Sequence, residues 1–201
     1  PENIADRAAY LAPTEPPAAE AADHPFVRAL GDPDSPAARA FFNPRDLAEP
    51  GVVNTARWRS AQIPASNGHT IARALARMYA SLTALGVEGL RLLHPTRARL
   101  LATERVGGHD GVMGAPTRFS LGFMLPSALR PFARGSRAFG YPGAGGALGF
   151  ADSDAELGFG YTPIRTLVAL EGGDPRWAPL VDAAYACLQR ARPTGAPGHG
   201  T

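Results

Sequence analysis

Proline and glycine are segregated along this chain, and that segregation limits its fold more than any other feature. Ten of the 20 prolines lie within Pro1–Pro64, where only two glycines occur, while 13 of the 23 glycines lie between Gly107 and Gly160. Each proline removes an amide donor and biases its predecessor away from helix, so the first stretch cannot hold a long helix. Residues 1–65 read as a Pro-rich, loop-dominated wrapping segment with short helical turns at Ile4–Leu11 and Ser35–Phe42. In the second turn Ser35 is the N-cap and Pro36 takes the first helical position. A long, weakly structured segment is also what half a domain shows where its packing partner is absent.

The next element is a helix from about His69 to Leu85, with Ser66 and Asn67 available as caps and Gly86 as its stop. Ile71, Leu75, Met78 and Leu82 recur at steps of four, three and four, the spacing of one buried stripe, with Arg73 and Arg77 on another face. A shorter helix follows Pro95, over Thr96–Thr103, with Leu100 and Leu101 inward. The period then changes: Arg118–Leu125, Gly146–Ala151 and Glu156–Tyr161 read as strands, and Asp152-Ser153-Asp154 makes the last two a hairpin. Glycine packs nothing and weakens a strand, so its density here predicts close approach of a helix or ligand to the sheet face. A last helix lies within Asp174–Ala191, capped by Asp174, with Trp177, Val181, Ala184 and Leu188 as its buried stripe. Residues 193–201 read as a disordered tail.

Composition removes several kinds of chemistry. All 20 basic side chains are arginine, so a phosphate-loop lysine, a Schiff-base lysine and the lysine of a Ser-x-x-Lys pair are excluded from these residues. A formal charge of +2 with scattered arginines gives no field that implies nucleic acid. The single cysteine, Cys187, rules out an internal disulfide and is read as a buried small hydrophobe on the last helix. No run approaches 18 apolar residues, so no membrane span is expected, and the expectation is a soluble, cytoplasmic chain. The chain begins at Pro1, which points to a longer polypeptide or to material removed upstream.

The candidate nucleophiles are weak. None of the eight serines lies in Gly-x-Ser-x-Gly, and each is read as a surface hydroxyl. The five histidines have no partner three or four residues away, so neither a metal site nor any cofactor is expected. His69 is read as a helix-start residue, His109-Asp110 as part of a glycine-bounded turn, and Asp152/Asp154 as a hairpin tip. The glycine cluster Phe139–Ala147 leads into a strand rather than a helix, which excludes a dinucleotide fingerprint. Two readings fit it: a plain turn into a hairpin, or a strand entry whose amide N–H groups face a developing oxyanion.

Two stretches, Ile63–Tyr79 and Phe139–Asp152, resemble segments of the serine β-lactamase-related esterases, which share the fold of penicillin-binding proteins and class C β-lactamases. The resemblance runs from about Asn54 to Arg192 and covers only the C-terminal half of that family. It implies an α+β fold, an antiparallel sheet flanked by helices, here incomplete, with residues 66–192 as the C-terminal portion of the domain. Of the family's three motifs, Ser-x-x-Lys, a tyrosine motif, and Lys-Thr-Gly or His-x-Gly, only the third has a counterpart, Tyr141-Pro142-Gly143. By that analogy the N–H of Ala144 faces the oxyanion, and Tyr141, Gly143, Ala144 and Gly145 border the substrate. Tyrosine stands at Tyr141 where the family usually has histidine or lysine. The implied activity is ester or amide hydrolysis through an acyl-serine, inactive in this chain alone for want of the nucleophile; the alternative is a non-catalytic binding protein on the same scaffold. The partners expected are the missing N-terminal half or a second copy, and a small ester or amide for the complete protein.

Overall fold

The computed structural model describes residues 7–12, 23–167 and 174–191. After the proline-rich start come two short helices, α1 (Pro25–Gly31) and α2 (Pro36–Phe41), then 3-10 turns at Arg45–Ala48 and Val52–Asn54 and a third short helix, α3 (Ala56–Ser60). Each of the three helices has a side-chain cap, from His24, Ser35 and Thr55 in turn, and the first two carry proline in the first turn. Phe26, Ala37 and Ala38 are buried among them, with the Phe26 and Phe41 rings edge to face at 5.5 Å. The turn expected over Ile4–Leu11 lies partly, and the tail at 193–201 wholly, outside the described residues; Ala12 runs extended and pairs with Arg165.

Helix α4 spans Ala72–Ser81 and α5 Pro95–Leu100, both shorter than the sequence pattern predicts. Neither Ser66 nor His69 caps α4, whose N-cap is Ile71 without a side-chain bond. Asn67 is occupied instead in the preceding loop, donating to the carbonyls of Trp58 and Ala61 and accepting from the N–H of Ile63.

Five strands follow. β1 (Val106–Asp110) and β2 (Ala115–Phe119) form one antiparallel hairpin, and β3 (Ala138–Pro142), β4 (Leu148–Asp152) and β5 (Leu157–Tyr161) form an antiparallel meander. Among the described residues Met124 makes the backbone link between the two groups, exchanging hydrogen bonds of 2.9 and 3.0 Å with Gly140 while bridging Phe119 on its other side. The strand expected over Arg118–Leu125 therefore ends at Phe119, because Ser120–Phe123 turn the chain back on itself, with Gly122 at φ +84°. β1, unexpected from the sequence, occupies the glycine-bounded stretch that reads as a turn.

The meander is covered on both faces, which places the chain in the α+β class with an antiparallel sheet between helices. Strand alternation puts Leu148, Phe150, Leu157, Phe159 and Tyr161 on one face, against Trp177, Val181 and Tyr185 of the final turn and helix α6 (Ala178–Ala191). The other face carries Phe139 and Ala151 with Gly149, Gly158 and Gly160, and α4 lies on it with Tyr79 and Leu75. The glycines are there for this contact: a Cβ at Gly158 would come 2.8 Å from the Cβ of Ala80, and one at Gly160 2.8 Å from the backbone N of Ala76. The helix rests its alanine face directly on bare backbone.

That arrangement corrects two expectations. Leu75 and Leu82 of the proposed α4 stripe pack inward, but Ile71 and Met78 are 67% and 39% exposed. Tyr79, absent from that stripe, is buried. On α6, Trp177, Val181 and Tyr185 form the buried line, and Cys187, two positions past Tyr185, is exposed rather than buried. Among the described residues no helix is long and apolar enough to cross a membrane.

Candidate functional site

The β3–β4 connection is a tight turn in which the N–H of Gly143 donates to Ala147 O at 2.7 Å and that of Gly146 to Gly143 O at 2.9 Å. Gly146 sits at φ +93°, a conformation that glycine adopts without a Cβ clash. Behind the turn, buried Asp174 pairs with the partly exposed Arg176, whose guanidinium also donates to Gly145 O at 3.3 Å and to Arg165 O at 2.5 Å. Leu167 N–H gives Gly145 O a further bond at 3.2 Å. The turn is thus fixed from one side while Ala144 stands exposed at its tip, its N–H without an acceptor among the described residues. Burial opposes ionisation of Asp174, yet hydrogen bonds from the Arg176 side chain and N–H and its charge outweigh that and hold the carboxyl below its usual value.

Tyr141 projects from β3 on the same face as Phe139, half exposed, its ring tilted against Phe119 with centroids 6.3 Å apart. Burial, and then the Asp110 carboxylate, push its ionisation above the ordinary phenol value, against the opposing charge of Arg130. The hydroxyl is therefore neutral at neutral pH, able to donate or accept a hydrogen bond. Asp110 is held below the usual carboxylate range, first by the N–H of Met113, with Val112 N–H, the Thr117 hydroxyl and His109 adding to it against burial. Its Oδ1 closes the β1–β2 turn, at 2.8 Å from Val112 N and 3.0 Å from Met113 N, while His109 lies in β1 opposite Pro116.

Residues Tyr141, Gly143, Ala144 and Gly145 follow one another at the end of β3, and several of the serines are engaged in structural bonds. Ser60, Ser81 and Ser120 donate to the backbone carbonyls of Arg57, Met78 and Phe123, and Ser136 to Asp154. Ser35 caps α2. Among the described residues no three His, Cys, Asp or Glu converge as metal ligands. Two hollows lie away from this strand end: about 510 Å³ between α1, α2 and Arg45, and about 220 Å³ beside Asp152, Arg134 and Tyr185.

Two structural groups were not singled out by sequence reasoning. One is the Asp174–Arg176 clamp, hinted at only by an acidic and a basic residue flanking Pro175. The other is Asp152, which is fully buried and accepts from Tyr185 Oη at 2.5 Å, Gly135 N at 2.9 Å, Asp154 N at 2.9 Å and Ala155 N at 3.3 Å. A hairpin-tip reading catches only the last two of those bonds.

An antiparallel sheet with helices on both faces is the frame that carries this turn, and comparison with known proteins bears on that fold. A family model described as Beta-lactamase matches residues 2–199. The chain belongs to the beta-lactamase family. Esterase/beta-lactamase LipL of Mycobacterium tuberculosis (strain ATCC 25618 / H37Rv) is 31% identical over 134 residues, 66% of this chain and 30% of LipL. Among solved structures, this beta-lactamase-family chain resembles a family VIII carboxylesterase at 34% identity and TM-score 0.61, covering 67% of itself and 36% of that chain. It also resembles a penicillin-binding protein homologue from Caulobacter crescentus, at 34% identity and TM-score 0.60, covering 66% and 36%. EstA from Arthrobacter nitroguajacolicus Rue61a matches at 30% identity and TM-score 0.72 over 94% of the chain and 48% of EstA. The chain therefore spans between about a third and a half of the relatives it matches.

Proposed function

We propose that this chain is the C-terminal portion, or a truncated relative, of a β-lactamase-fold serine hydrolase, and that it is inactive by itself. The observation that carries the reading is the exposed, unpaired amide of Ala144 at the tip of a turn locked from behind by Arg176. A backbone N–H held in place before reaction is the kind of donor that stabilises a tetrahedral oxyanion without reorganising. In the complete enzyme a serine Oγ attacks the ester or amide carbonyl carbon, the N–H of Ala144 takes the developing charge, and the alcohol or amine leaves with a proton. Water then cleaves the acyl-serine. Tyr141, with Gly143 and Gly145, borders the acyl group as a neutral hydrogen-bonding wall. The chain contributes this half of the groove and lacks the Ser-x-x-Lys and tyrosine motifs needed to begin.

The test is turnover of a p-nitrophenyl ester of a short acid. The isolated chain is expected to give none above buffer, and activity that disappears with one serine-to-alanine change would overturn the missing-nucleophile reading. In a complemented, active enzyme, Ala144→Pro removes the N–H and is expected to lower kcat about 10²- to 10³-fold. Tyrosine in place of a basic residue at Tyr141 favours the second reading, a non-catalytic binding protein on this scaffold. An upstream reading frame encoding Ser-x-x-Lys and a tyrosine motif would decide for the enzyme.

A further inference from the structure

Ala144 is the second residue of a turn closed by the Gly146 N–H, which donates to Gly143 O at 2.9 Å. Gly143 O and the Ala144 N–H belong to one planar, trans peptide unit, in which the C=O and N–H point in opposite directions. The bond that draws Gly143 O inward therefore aims the Ala144 N–H outward. Where Gly146 sits decides that aim.

Gly146 is placed by residues from other segments. A Cβ there would collide with the Arg176 guanidinium and the Asp174 carboxylate, so that side-chain pair rests directly on this backbone. One residue earlier, Gly145 O accepts from Arg176 Nη2 at 3.3 Å and from Leu167 N at 3.2 Å, which fills both its acceptor positions. Thr166 packs on the same glycine, its Cγ2 3.2 Å from where a Cβ would stand. Residues 164–167 thus bear on the turn together with Arg176, which also donates to Arg165 O at 2.5 Å.

This 164–167 strip is itself tied down by the N-terminal segment. Ala12 N donates to Ile164 O at 2.8 Å, and Ala12 O accepts from Thr166 N and Oγ1, each at 3.3 Å. Leu11, the residue before, is pinned by Asn54, whose side-chain amide accepts from Leu11 N and donates to Leu11 O, both at 2.8 Å. Asn54 pairs there with one backbone unit in both directions, as a strand partner would, across 43 residues of sequence.

We infer that Asn54 and Arg176 are positioning residues for the Ala144 N–H. Arg176 holds the turn at Gly145 and Gly146, and Asn54 holds, through Leu11 and Ala12, the strip that bears on Gly145. This rests on the reading above that Ala144 faces the oxyanion. Each residue acts through the backbone of the turn and fixes the direction of a donor before charge develops.

The test is residue-resolved amide hydrogen exchange on the 201-residue chain, read at Gly146 in the turn and at Phe150 and Phe159, which face each other across β4 and β5. Arg176→Lys keeps a charge beside Asp174 but loses the planar fork that spans Gly145 O and Arg165 O. It is expected to speed exchange at Gly146 about tenfold or more while Phe150 and Phe159 keep their rates. Asn54→Ala is expected to do the same. Unchanged Gly146 exchange in either variant would overturn the inference, as would turn and sheet amides speeding up together, the mark of a plain loss of stability. In the complemented, active enzyme both substitutions are expected to lower kcat about tenfold with KM unchanged, since the interaction they weaken is made only in the transition state. A loosened turn with kcat retained counts against the oxyanion role of Ala144 only, and kcat lost with the turn intact counts against the positioning role only.

Discussion

Asp152 shows how much one side chain can organise. Fully buried at the end of β4, it collects three backbone N–H groups and the Tyr185 hydroxyl, tying the 133–137 loop, the β4–β5 turn and α6 to one point. The Tyr185 phenol, buried and facing that carboxylate, has its ionisation pushed far above the ordinary value. Asp152→Ala leaves these donors unmatched, at about 1–3 kcal/mol for each that stays buried. We expect a loss of about 3 kcal/mol or more in urea denaturation, and about 1 kcal/mol for Tyr185→Phe, which removes one bond and leaves the ring. The folded-state pKa values of Asp174, Asp110 and Asp154 all lie below the ordinary carboxylate value of 3.8. Their stabilisation is complete above that value and is lost as pH falls through the depressed folded values. Thermal melts from about pH 5 to pH 2 should therefore show Tm falling mainly below pH 4, with a shallower acid slope in Asp174→Asn.

At the scale of elements, the contact between α4 and the β4–β5 glycines is the most sequence-specific packing in the molecule. A methyl group at Gly160 meets the backbone of Ala72 and Ala76, and neither can move without shifting the helix. Gly158→Ala and Gly160→Ala are expected to cost about 1–3 kcal/mol each, in the range of overpacked cores, measured by denaturant midpoints. Gly68→Ala, with nothing within 4 Å, is the control and should be near neutral. The sequence made the reason for these glycines legible, along with the β4–β5 hairpin and the Ser35 and Asp174 turns. It did not reveal which side of α4 faces the sheet. Helical periodicity marks the large apolar residues, whereas a sheet face of glycines selects alanines 72, 76 and 80 with Tyr79. The same bias hid β1, where Val106-Gly107-Gly108-His109 offers no apolar alternation. The glycine turn was legible in the Phe139–Ala147 cluster, while the role expected of Ala144 came from the family resemblance alone. Arg176, which locks that turn, is remote in sequence and carried no motif.

Across the whole molecule, two regions differ in how they are held. The helices and 3-10 turns over residues 25–60 pack chiefly on one another, around Phe26, Ala37 and Ala38, while the sheet carries the two larger clusters on its faces. Contacts of that kind make separately opening units. The two tryptophans report on them independently, because Trp58 lies in α3 and Trp177 in the sheet core. Single-tryptophan variants, Trp58→Phe and Trp177→Phe, are expected to give different denaturation midpoints, with the Trp58 signal lost first; coincident transitions would show one cooperative unit.

Among the described residues the backbone pairing that links the hairpin carrying Phe119 and Asp110 to β3 runs through one residue, Met124, which bridges Phe119 and Gly140. Tyr141 lies one residue beyond that rung. The Tyr141 ring is accordingly held between that rung and the Phe119 ring, whose centroid lies 6.3 Å away.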